Sequence, residues 1–135
     1  MALSEDWFEL EKLHRAACEG NLGEISRLVA KGIDINAFDD RSRTPLHYAV
    51  EERQLDAAEL LISLGSDVNC YDEEMIGETA LSLAAQGDCP AIVALLMTHG
   101  ANADISGWMG LTARARAKQR SDENGRIIAA MLEAG

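Results

Sequence analysis

The sequence repeats itself at a fixed interval, and that period constrains the fold more than any other feature. Thr44-Pro45-Leu46-His47-Tyr48-Ala49 returns as Thr79-Ala80-Leu81-Ser82-Leu83-Ala84. A weaker copy, Leu13-His14-Arg15-Ala16, lies one such interval before Leu46-His47-Tyr48-Ala49. A worn copy, Thr112-Ala113-Arg114-Ala115-Arg116-Ala117, lies one interval after the Thr79 segment. Gly32, Gly65, Gly100 and Gly135 keep the same beat. A period of this length marks a chain of stacked supersecondary units.

Each unit reads as two short helices. Thr44 can cap free amides, and Pro45 fits the first helical position, where its missing N–H is unpaired in any case. Leu46, Ala49 and Val50 make an apolar stripe at i, i+3, i+4. Glu51 to Gln54 break that stripe, and Leu55, Ala58, Leu61 and Ile62 form the stripe of a second helix. Gly65 ends it, because a helix C-terminus commonly needs a left-handed residue. Neither helix can bury its face alone, so the units must stack. Ala16, Ala49, Ala84 and Ala117 fall at one aligned position, where small side chains let first helices approach closely.

The 135 residues amount to one domain's worth of chain, rich in aliphatic and poor in aromatic residues. No stretch approaches the ~20 apolar residues of a membrane span. The acidic start, Met1 to Asp6, is not a secretory signal. Cys18, Cys70 and Cys89 are odd in number without paired spacing, as expected of reduced thiols in a cytoplasmic compartment. The net charge is −11, and residues 54–113 carry nine acids with no Lys or Arg. Such a surface repels phosphate backbones, which excludes nucleic acid. It either attracts a basic protein or serves solubility alone.

The repeat resembles the ankyrin repeat. Thr44-Pro45-Leu46-His47-x-Ala49, Leu61-Ile62-x-x-Gly65-x-Asp67-Val68-Asn69 and Gly77-x-Thr79-Ala80-Leu81 carry the likeness, and Gly20-Asn21-Leu22 and Gly32-Ile33-Asp34-Ile35-Asn36 fit the same frame. The resemblance implies an all-α ankyrin-repeat solenoid of stacked helix–turn–helix units with projecting β-hairpin loops. Within a single domain, 1–135, it implies four repeats at roughly 6–38, 39–71, 72–106 and 107–135. The loop from Asn69 to Thr79 is two residues longer than the loops from Asn36 to Thr44 and from Asp104 to Thr112. The stretch from Thr112 to Gly135 likewise exceeds Thr44 to Gly65 and Thr79 to Gly100 by two residues, which predicts a longer inter-helix turn near Gln119–Gly125. Arg114 stands in the place of Leu46 and Leu81, as suits a terminal helix whose outer face meets water.

Catalysis finds no support. His14 and His47 occupy the family's Leu-His position, where the resemblance implies hydrogen bonds to backbone groups, and His99 lies near a helix C-terminus. No residues stand at metal-ligand spacing, and there is no phosphate-cradling loop or nucleophile elbow. Neither a metal nor a cofactor is expected.

Binding is better supported. In this family partners lie across the loop tips and the first-helix face. Counting from the aligned Thr places Arg41, Arg43, Met75, Ile76, Glu78, Trp108, Met109 and Leu111 at or beside the tips; counting from the aligned Asn adds Phe38 and Tyr71. Large apolar groups on solvated tips do nothing for the repeat's own stability. With Glu74 and its acidic neighbours as a rim, they read as an interface core in which Trp108 carries the largest share. The competing reading packs them against adjacent loops. The expected function is a non-enzymatic protein–protein interaction module, monomeric when free. Two variants of it are an acidic, immunity-type inhibitor that occludes a basic active site and an architectural subunit. The opening Met1 and the terminal helix favour a stand-alone binder over a fragment.

Overall fold

The computed structural model describes residues 2–75 and 77–134, with side chains from Phe8 onward except that of Trp108. Among these residues there are eight α-helices, one 3-10 turn at Trp108–Gly110, and no strand. The helices are α1 (Ala2–Glu19), α2 (Leu22–Ala30), α3 (Pro45–Glu51), α4 (Leu55–Ser63), α5 (Ala80–Ala85), α6 (Pro90–Thr98), α7 (Ala113–Lys118) and α8 (Glu123–Ala134). They form four successive helix–turn–helix pairs, as the period requires.

The chain divides into two compact units, Met1–Asp67 and Val68–Gly135, each holding two pairs. In the first unit α1 packs on α2 and α3, and α4 packs on α3 and α2. Its core is Leu13, Ala16 and Ala17 against Ile25, Leu28, Leu46, Ala49, Val50, Ala57, Ala58 and Leu61, all buried. In the second unit α5 packs on α6, α7 and α8, and α8 also packs on α6 and α7. Leu81, Ala84, Ile92, Val93, Leu96, Ala117, Ile128 and Leu132 fill its core. All four aligned alanines are buried. On α4 the buried face is Ala57, Ala58 and Leu61, with Leu55 and Ile62 at its margin.

Local chemistry sets the helix ends. The Thr79 and Thr112 hydroxyls accept from the N–H groups of Ser82 and Ala115 at 3.1 and 3.0 Å. Thr44 forms a capping box with His47, and its N–H donates to His47 Nδ1 at 3.1 Å. Pro90 opens α6. Gly32, Gly65 and Gly100 follow their helices at φ 95°, 115° and 88°, the left-handed region that a side chain would strain.

The last repeat departs from the expected layout. Its inter-helix turn is not lengthened: α8 begins as far beyond Thr112 as α4 begins beyond Thr44 and α6 beyond Thr79. The added length goes to α8, which runs 12 residues against 9 in α4 and α6. Gly65 and Gly100 stand just past the ends of α4 and α6; the equivalent place in α8 is Glu133, so nothing stops the helix there. Arg114 does more than face water. It donates to Asp104 at 3.1 Å and to the Leu132 carbonyl in the last turn of α8.

Within each unit an asparagine ahead of a finger braces the end of the second helix that follows it. Asn36 donates to the Gly65 carbonyl at 3.4 Å and accepts from the Asp67 N–H at 2.8 Å. Asn69 repeats this with Gly100 and Asn102 at 3.1 and 2.7 Å.

Candidate interaction surface

Three loops precede the Thr-capped helices and form the fingers. Each closes as a turn. In the first, the Asp39 N–H donates to the Arg43 carbonyl at 2.9 Å and the Ser42 N–H to the Asp39 carbonyl at 3.1 Å. Asp39 Oδ1 accepts from the N–H groups of Arg41 and Arg43 at 2.9 and 3.0 Å. Its other oxygen accepts from the Tyr48 hydroxyl of α3. Burial alone would raise the Asp39 carboxyl, but the Tyr48 hydroxyl and the two N–H donors outweigh it and hold the group below its ordinary range. Burial, followed by the hydrogen bond and charge of Asp39, pushes the Tyr48 phenol up to about 12. His14 ties α1 to this finger, with Nε2 2.9 Å from the Arg43 carbonyl and Nδ1 2.8 Å from the Leu10 carbonyl.

The second finger closes through the Gly77 N–H on the Asp72 carbonyl at 2.8 Å. Asp72 Oδ1 accepts from Glu74 and Met75 N–H groups at 3.2 and 3.3 Å. The third repeats the first: Gly107 N–H donates to the Leu111 carbonyl at 2.9 Å, and Gly110 N–H to the Gly107 carbonyl at 3.0 Å. Gly107 occupies the place of Asp39, and a carboxylate still reaches it. A Cβ on Gly107 would lie 2.6 Å from Glu78 Oε2.

The expected tip residues fall into three groups. Met75 and Met109 stand out in solvent at 68% and 72% exposure, and Arg41 and Glu74 are exposed. Phe38, Tyr71 and Leu111 are half-buried. The charge of the neighbouring Glu73 raises the Tyr71 phenol. Arg43 and Glu78 are engaged inward. Arg43 pairs with Glu51 and lies 5.9 Å from the Tyr48 ring centre, while Glu78 pairs with Arg116 and accepts from the Ser82 hydroxyl. Ile76 and the Trp108 side chain lie outside the described residues.

Sequence spacing missed two features. The anionic anchor under each finger was one, although Asp39 and Asp72 at the finger starts carry a readable Asx-turn signature. The other was the backbone of Met109, whose φ of 61° is left-handed in a non-glycine residue at a solvated tip. Gly110 beside it, at φ 70°, is the residue a sequence reader would assign to that conformation.

Among the described residues, no group of His, Cys, Asp and Glu is gathered to hold a metal, and no helix is long and apolar enough to cross a membrane. Among the described residues Cys18, Cys70 and Cys89 form no disulfide.

Known proteins give the same repeat. The family model described as ankyrin repeats (3 copies) matches residues 3–72, and that for a single ankyrin repeat matches residues 76–108. Acyl-CoA-binding domain-containing protein 4 of Oryza sativa subsp. japonica is 42% identical over 43 residues, which is 32% of this chain and 13% of that protein. Acyl-CoA-binding domain-containing proteins 2 and 1 of Arabidopsis thaliana are 35% and 33% identical over 48 residues, 36% of this chain and 14% of each. The chain therefore spans only about a seventh of these relatives. One family model covers more than half of the chain, and four successive helix pairs realise its repeat, so the protein belongs to the ankyrin-repeat family, whose repeats are generally protein-interaction modules.

Proposed function

We propose that the chain binds a partner protein through its finger tips and the faces of its first helices, without catalysing a reaction. Met109 carries the argument. Its side chain is 72% exposed and its backbone is left-handed. A non-glycine residue there costs about 1 kcal/mol or more, and among the described residues little burial offsets it. A large apolar side chain kept at an exposed, left-handed tip supports contact with another molecule. Met75 offers a second flexible apolar group, and methionine suits adaptable binding surfaces. Ile76, Trp108, Leu111, Tyr71 and Phe38 belong to the same proposed surface, edged by Glu74 and Arg41. Arg43 and Glu78 support it from within.

The base-free span from residue 54 to 113 favours a partner of basic character and a fast, salt-sensitive encounter. The acyl-CoA binding in the relatives' names is not carried over, because the shared stretch is 13–14% of those proteins.

The test is Met109→Gly. Glycine relaxes the turn, so thermal stability should hold or rise slightly. Affinity for a partner captured from the native host should fall more than about tenfold, as for a hot-spot side chain. Unchanged affinity would remove Met109 from the interface.

A further inference from the structure

In the first unit, α1 and the first finger enclose an open pocket of about 700 Å³. That volume lies within the roughly 300–1,000 Å³ range of ligand sites. Glu11, Arg15 and Glu19 of α1 form one wall, and Phe38 to Arg41 form another; His14 and Tyr48 complete the lining together with Leu10 and Cys18. The pocket is preformed. The Asp39 carboxylate fixes the finger backbone, and His14 joins α1 to the Arg43 carbonyl.

Its charge has one sign to spare. Four carboxylates line it against two guanidinium groups. The carboxylates of Glu11, Glu19 and Asp40 are exposed and make no side-chain hydrogen bond or ion pair among the described residues. Arg15 lies one helical turn from both Glu11 and Glu19, so it is flanked by acids on its own helix. Burial and, after it, nearby acids act on two weak acids in the lining. The Cys18 thiol is raised by burial and then by the charges of Glu52, Glu19 and Glu51, and the Tyr48 phenol by burial and then by Asp39. In both, the anionic form is the disfavoured one.

Shape narrows the choice of cation. The Tyr48 ring already has the Arg43 guanidinium 5.9 Å from its centre, so the ring left for an incoming group is that of half-buried Phe38. An aromatic face beside separated carboxylates suits a planar, forked guanidinium better than a compact ammonium. We propose that this pocket receives an arginine side chain presented by the partner protein. The proposal rests on the reading of the chain as a partner-binding module and adds the chemistry of one anchor.

The test uses the full chain and two blocked tripeptides, acetyl-Ala-Arg-Ala-amide and its citrulline counterpart, which keeps the shape and loses the charge. In an amide NMR titration the arginine peptide should shift residues 11–19 and 38–41 at concentrations on the order of millimolar, as expected for so small a ligand. The citrulline peptide should not. Glu11→Gln with Glu19→Gln should weaken the arginine peptide by about fivefold or more at unchanged thermal stability. Equal shifts from both peptides, shifts confined to other residues, or none at all would each overturn the proposal. Repeating the titration on Met109→Gly separates the two readings. Arginine binding should persist there whether or not that substitution weakens the captured partner; a failed titration removes the pocket and leaves the finger-tip reading to its own test.

Discussion

Glu78 and Arg116 form an ion pair that is largely shielded from water, with side chains 18% and 13% exposed. It does in the second unit what Asp39 and Tyr48 do in the first. Tyr48 and Arg116 each stand four residues after the capping Thr, and each donates to a carboxylate beneath a finger. In the first unit that carboxylate belongs to the finger itself. In the second it comes from the preceding finger, and Gly107 leaves the space it needs.

Removing either partner deletes a charge-assisted contact from a largely shielded place. Loss of one member of a fully buried pair costs about 3–5 kcal/mol; with some solvent access, Glu78→Leu or Arg116→Leu should cost nearer ~2 kcal/mol. The double substitution should cost clearly less than the sum of the two. Urea unfolding of the four proteins measures the coupling, and strict additivity would mean the contact contributes nothing.

Gly107→Ala drives a methyl group against a carboxylate that Arg116 and Ser82 hold in place. It should destabilise by about 1–2 kcal/mol. In a Glu78→Ala background the same change should be nearly neutral, again by urea unfolding.

Tyr48→Phe deletes one donor to Asp39 and should cost about 1–2 kcal/mol near neutral pH. Because the folded carboxyl titrates below its ordinary value of 3.8, this stabilisation is fully present above that value and is lost as pH falls through the lower folded one. Stability curves of the two proteins should therefore converge below about pH 4. A constant gap across the acid range would place the effect outside the Asp39 carboxylate.

The helix pairs were legible because their signals are local and periodic. Thr44 and Pro45 open α3 as read, and Ala16, Ala49, Ala84 and Ala117 are buried. The extra length of α8 was misplaced because a glycine count takes Gly135 for the equivalent of Gly65, whereas the equivalent place holds Glu133. The fingers were legible as positions but not as chemistry. Glu78 counts as a tip residue by spacing, yet its partner Arg116 lies 38 residues away and no local pattern announces the contact. The strain at Met109 is invisible for a similar reason, since propensity assigns the left-handed turn to Gly110 alone.

Ala49→Leu tests the stack directly. Ala49 is fully buried on α3, which packs on α1 and α4. Three added carbons crowd this buried contact and should cost about 1–3 kcal/mol. A neutral outcome in thermal melts would show that the helices have room to separate there.

The asparagine bridges bear on how such a protein can change. Asn36 reaches Gly65 and Asp67, and Asn69 reaches Gly100 and Asn102, although the loop after Asn69 is two residues longer than the loop after Asn36. The insertion is absorbed inside the finger and is not passed to the scaffold. Each finger thus behaves as an exchangeable cartridge, whose length and side chains can be rewritten for a new target while the frame that holds it keeps its register.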